Sequence, residues 1–151
     1  MNKESLLIKE LAEVTGTELE LDASGMCELV ADDNLIVLRY REASEDWLCF
    51  GVVLEGGDGT VPRATLAKAL ELSLFGAGTV GLSLGLHGNA LVLSDCVSSV
   101  DLTAEAFADR ILFLSRRISS ISELLNETVE SGRDLEMDSV RTALDECLIP
   151  V

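Results

Sequence analysis

The chain has 151 residues, 48% of them apolar, and carries 27 acidic against 11 basic side chains for a formal net charge of −16. That length suits one domain around one core, and so large an apolar share argues against a disordered chain. A polyanion of this strength is repelled by phosphate backbones and by anionic bilayers, so nucleic acid and membrane surfaces are poor candidates for partners.

Leu7, Leu11 and Val14 recur at helical spacing between Asn2, a good N-cap, and Gly16, placed where a left-handed residue ends a helix; the pattern predicts a first helix. Three strands are expected next, Met26 to Ala31, Leu35 to Arg41 and Trp47 to Leu54, separated by Asp32-Asp33-Asn34 and by the polar link Glu42 to Asp46. Pro62 suits the first position of a second helix, striped by Leu66, Leu70 and Leu74 and ended by Gly76.

From Leu72 to Ser94 the chain holds no formal charge and includes Gly81-x-x-x-Gly85, features a membrane helix would share. Yet Val80, Leu82, Leu84 and Leu86 alternate with small residues, and His87-Gly88-Asn89 then supplies a turn. Period two followed by a turn predicts a hairpin of strands, about Thr79 to Leu86 and Ala90 to Val97.

Asp101 or Thr103 is placed to cap a long third helix reaching about Glu127, its buried stripe running Phe107, Ile111, Leu114, Ile118, Ile121, Leu125. Met137, Val140, Leu144 and Cys147 repeat that spacing. The expected architecture is α+β, in the order α-β-β-β-α-β-β-α, with a mainly antiparallel sheet packed by helices. Residues 1–128 are expected to form the single domain and 129–151 an amphipathic tail, either a fourth, weaker helix or a mobile appendage.

Several motifs resemble chemistry and yield to plainer readings. Gly76-Ala77-Gly78-Thr79-Val80-Gly81 matches the letters of a dinucleotide fingerprint, but a helix precedes it and a strand follows. Phosphate would meet the negative end of a helix, so no nucleotide site is expected. His87 is the sole histidine and sits at a turn without a nucleophile or orienting acid in view. The acidic clusters lack calcium-loop spacing. Cys27, Cys49, Cys96 and Cys147 are too scattered for a zinc site and read as small hydrophobes of a reducing compartment. No catalytic residue, cofactor or metal is expected, and the first ten residues lack the apolar core of a signal peptide, which points to the cytoplasm.

More telling is apolar surface without an obvious cover. Leu35 and Val37 oppose Ile36, Leu38 and Tyr40, and Leu48, Phe50, Val52 and Leu54 oppose Trp47, Cys49 and Val53. A sheet covered on one side should alternate apolar with polar. Either the second helix or the tail covers the second face, or part of it is left for another chain.

Three runs carry a family resemblance: Leu19-Glu20-Leu21-Asp22-Ala23-Ser24-Gly25-Met26-Cys27-Glu28-Leu29, then Leu72-Ser73-Leu74-Phe75-Gly76-Ala77-Gly78-Thr79 continuing to Leu86, and Leu102-Thr103-Ala104-Glu105-Ala106-Phe107. In that order, over about Leu6 to Leu125, the chain resembles the class I type III secretion effector chaperones, the Tir-chaperone-like family. It departs from the pattern at Ser73, where Asn is common, and at Val80, where Gly is common. The resemblance implies a bacterial cytoplasmic homodimer that binds the N-terminal segment of a secreted effector in extended form, by β-augmentation and side-chain pockets. It implies a dimer contact through Leu70, Leu74, Phe75, Val80 and Leu82, and client contacts through Leu7, Leu29, Leu35, Val37, Cys49 and Val53. The secretion-apparatus ATPase is a further partner it admits. A regulatory adaptor of the same fold, sequestering a transcription regulator or another chaperone, is the alternative.

Overall fold

A computed structural model of the chain describes residues 2–57 and 59–147, and the side chains among these up to residue 128. Its elements are α1 (Lys3–Thr15), β1 (Met26–Ala31), β2 (Asn34–Arg41), β3 (Asp46–Glu55), α2 (Arg63–Ser73) with a 3-10 turn at Leu74–Gly76, β4 (Ser83–His87), β5 (Ala90–Ser98) and α3 (Ala104–Cys147). The strands make one antiparallel sheet in the order β1-β2-β3-β5-β4. The α+β expectation is met.

Local chemistry sets the boundaries. The Asn2 side chain accepts the Ser5 N–H, and Gly16 closes α1 at φ 67°. Asp32 and Asp33 both sit at positive φ between β1 and β2, the geometry that gives a two-residue hairpin the right twist. Arg41 grips Asp46 across the β2–β3 link with two bonds of 2.7 and 2.6 Å. Its guanidinium holds the Asp46 carboxyl below the ordinary aspartate range. Thr103 Oγ1 accepts the Ala106 N–H and so starts α3.

Three expectations are corrected. β4 begins at Ser83, not Thr79, because Val80 and Gly81 take left-handed conformations that no strand permits. α2 buries Thr65 and Ala69, leaving Leu70 and Leu74 exposed, so its leucine stripe is not a core stripe. α3 does not stop near Glu127 but continues to Cys147, with no proline before Pro150 to break it. The stripe Met137, Val140, Leu144 and Cys147 of the expected tail lies outside the residues whose side chains are described.

The core lies on one face of the sheet. Phe107, Ile111, Leu114, Ile118, Ile121 and Leu125 of α3 are all buried, as are Leu7, Ile8 and Leu11 of α1. Trp47 stacks between Tyr40 and Phe107, with ring centroids 5.2 and 5.3 Å away. Gly51 lets α3 come close, since a Cβ there would lie 2.6 Å from Ile118 Cδ1. Asp95 of β5, buried under α3, takes a 2.9 Å bond from Arg110 Nε. Asn34 Nδ2 reaches Ser115 Oγ and Ser119 Oγ at 3.0 and 2.9 Å, pinning the β1–β2 hairpin to α3. α2 packs on α3 and on β4.

Candidate functional site: two exposed apolar surfaces

Strand alternation assigns every side chain of the sheet to one of two faces. Cys27 and Leu29, Ile36 and Leu38, Trp47 and Cys49, and Leu91, Leu93 and Val97 point at α1 and α3 and are buried. The opposite parity carries Val30, Leu35, Val37, Leu48, Phe50, Val52 and Val92. Val30 is paired with Leu35, Val37 with Phe50, and Val52 with Val92, so these side chains form one apolar band across β1, β2, β3 and β5. Val30, Leu35 and Val52 are 65, 53 and 49% exposed. Among the described residues no helix lies over this band; Glu28 and Arg39 share its face and frame it with charge. β1 also ends the sheet, with one edge unpaired among the described residues and able to take another strand.

A second apolar surface is built by α2, the turn after it and β4. Leu70, Leu74, Phe75 and Val80 are 73, 60, 96 and 56% exposed, and Leu86 of β4 stands exposed nearby in sequence. Such large apolar groups would be expected inside a domain whose core could accept them. At two of these residues the backbone is left-handed, Phe75 and Val80 both at φ 55°, while Thr79 and Leu82 are buried. From Leu72 to Ser94 there is no formal charge, so this surface is a neutral window in a strongly acidic chain.

A cleft of about 170 Å³ lies where α1 crosses the sheet, lined by Leu6, Leu7, Tyr40, Trp47 and Leu102 with Lys3, Glu4 and Glu10 on its rim. The indole N–H of Trp47 is buried without a hydrogen-bond partner among the described residues.

The residues singled out from sequence divide sharply by position. Of the six client candidates, Leu35 is exposed and Val37 half-buried on the outer band, whereas Leu29, Cys49 and Val53 are buried core residues beneath the helices. Leu7 is likewise buried, though it lines the α1 cleft. Of the five dimer candidates, Leu70, Leu74, Phe75 and Val80 are exposed together, and Leu82 is buried within the protomer. Mixed parity explains the first split: Leu29, Cys49 and Val53 cannot share a face with Leu35 and Val37. Val30 and Val52 were missed for the same reason, although pairing β1 and β3 to β2 by their turns places both beside Leu35 and Val37.

No group of three or more potential metal ligands gathers among the described residues, and His87 is exposed at the end of β4. Burial pushes the Cys27 thiol up to about 11, which keeps it protonated and unreactive at neutral pH. No helix among the described residues is long and apolar enough to cross a membrane.

Known structures share this architecture. The chain is similar to the ExsC–ExsE complex at TM-score 0.69 and 21% identity, covering 82% of this chain and 93% of that one. It is similar to the Yersinia pestis type III secretion chaperone SycH in complex with a stable fragment of YscM2, at TM-score 0.61 and 17% identity, over 79% and 99%. It is also similar to the HopA1–SchA chaperone–effector complex, at 0.60 and 20%, over 78% and 91%. No curated protein sequence matches. The family model of the Tir chaperone proteins (CesT) matches residues 6–117, which span both apolar surfaces and the first turns of α3, and the chain belongs to that family.

Proposed function

We propose that this protein is a type III secretion chaperone that works as a homodimer in the bacterial cytoplasm, holding the N-terminal segment of a secreted effector extended and soluble. The observation that carries the reading is the outer band of the sheet: apolar across four strands, solvent-exposed in part, and bare of any described helix. Monomeric proteins seldom leave such a patch open unless something docks on it. An extended client fits it by two contacts: one stretch pairs with the edge of β1 through backbone donors and acceptors, and another lies across the face on Leu35, Val37, Phe50 and Val52. Main-chain bonding tolerates sequence, and the apolar band selects against polar segments. The dimer contact in this reading is the neutral surface of Leu70, Leu74, Phe75 and Val80. The protein acts by binding alone, without catalysis or cofactor, and the large negative charge keeps a chain with open apolar surface in solution.

The test is co-expression with the effector encoded beside it. A complex of two chaperones with one client segment should survive gel filtration in both low and high salt, because apolar burial is little screened. Dissociation by salt would show that charge, not the apolar band, holds the client.

A further inference from the structure

We propose that Arg117 of α3 is the positioning residue of the self-association surface, fixing from the inside the backbone whose apolar side chains meet a second copy. The inference rests on the dimer reading above and adds to it the device that holds the surface in shape.

Segment 74–82 is unusual in its backbone. Phe75 and Val80 both lie at φ 55°, and between and after them Gly76 and Gly81 lie at 67° and 82°. A β-branched residue such as valine is a genuine outlier there, and it persists only where the surroundings hold it. In those conformations Phe75 and Val80 are 96 and 56% exposed, while Thr79 between them is fully buried.

What holds the segment converges on Gly78. Its N–H donates to Leu72 O at 3.0 Å, and its carbonyl accepts from Arg117 Nη2 at 2.7 Å. A Cβ on Gly78 would lie 2.8 Å from both Leu72 Cα and Leu72 O, so the two backbones are in direct contact and only glycine fits. Among the described residues, Arg117 is the one side chain from another element that hydrogen-bonds the backbone of 74–82. Its Nε is buried without a partner among the described residues, so the guanidinium is committed to this seat at the expense of a donor. Arg117 stands next to Ile118, which is packed into the core against the sheet. Core and loop are thereby joined through one charged fork.

The occupant is a second copy of this chain. Two bodies of formal charge −16 repel, and the neutral stretch from Leu72 to Ser94 is where they approach at least electrostatic cost. A preformed turn then loses little conformational freedom on association, which is how positioning raises affinity without a new contact.

The experiment compares wild type, Arg117→Met and Arg117→Lys by sedimentation across a concentration series, and by chymotrypsin cleavage at Phe75 in samples dilute enough to be monomeric. Arg117→Met should speed that cleavage and weaken self-association, each by about tenfold, with unchanged helical circular dichroism. Arg117→Lys keeps a single donor and should fall between; should the Met variant fail to fold, a several-fold weakening in the Lys variant carries the same test. Unchanged cleavage and self-association in a variant whose wild type does dimerise overturns the positioning role and leaves the dimer reading standing. A wild type monomeric at every concentration overturns both.

Discussion

The two faces of the sheet are nearly equal in apolar content and opposite in fate. The inner face carries Leu29, Ile36, Leu38, Trp47, Cys49 and Leu93 and is sealed by α1 and α3. The outer face carries Val30, Leu35, Val37, Phe50, Val52 and Val92, exposed or half-buried, and no helix covers it among the described residues. Composition therefore does not decide which surface is core; the placement of helices does. One side of the sheet stabilises the fold, and the other is free to change its neighbours.

The sharpest way to break that division is to truncate each side. Phe107→Ala removes a fully buried ring stacked on Trp47 and should cost about 3–5 kcal/mol, read as a fall in the denaturant midpoint. Next in size, Gly51→Ala places a methyl 2.6 Å from Ile118 Cδ1 and 3.0 Å from Leu35 O. Moving α3 away from the sheet should cost about 1–3 kcal/mol. If Gly51→Ala melts like wild type, α3 does not press on the sheet as described.

On the outer face the expected pattern reverses. Leu35→Thr with Val52→Thr places β-branched strand formers at both positions but makes the band polar, so stability should change by less than about 1 kcal/mol. Client capture in the co-expression assay should fall by at least about tenfold, since each apolar contact replaced removes on the order of 1 kcal/mol of burial. A pair of variants that left capture intact would move the client off this face.

Much of this division was legible in the sequence, and the misses have physical causes. β1, β2 and β3 were placed within one residue because Asp32-Asp33 and Glu42 to Asp46 have turn chemistry that few other conformations satisfy. That both faces of β2 and β3 are apolar was also readable, since period two needs only the strand assignment. Which apolar residue was open was not, because that depends on parity between strands and on where α3 lies. β4 was drawn too early because Val80 and Leu82 keep a period-two pattern through a turn, and nothing local signals that Val80 is left-handed. The leucines of α2 recur at core spacing, yet Thr65 and Ala69 are the inward side chains; their small volume lets α2 sit close to α3.

The smallest effect separates the faces without disturbing either. Cys27 and Cys49 lie on the inner face at 6 and 1% exposure, and Cys96 lies exposed on the outer face opposite Leu48. Burial raises the thiol pKa of Cys27 to about 11, with Asp22 and Glu28 adding repulsion, and burial raises that of Cys49 as well. Thiolate is the reactive form, so both inner cysteines should react only when the sheet opens. In a Cys147→Ser background, a thiol reagent at pH 8 should therefore modify Cys96 at once and the other two at the rate of unfolding. Cys96 also shares its face with Val52 and Phe50, so a bound client that lies across the band should slow its modification while leaving Cys27 and Cys49 unchanged. Fast labelling of Cys27 or Cys49 in the folded chain would mean that the inner face is open too, and the contrast between the two faces would fail at its root.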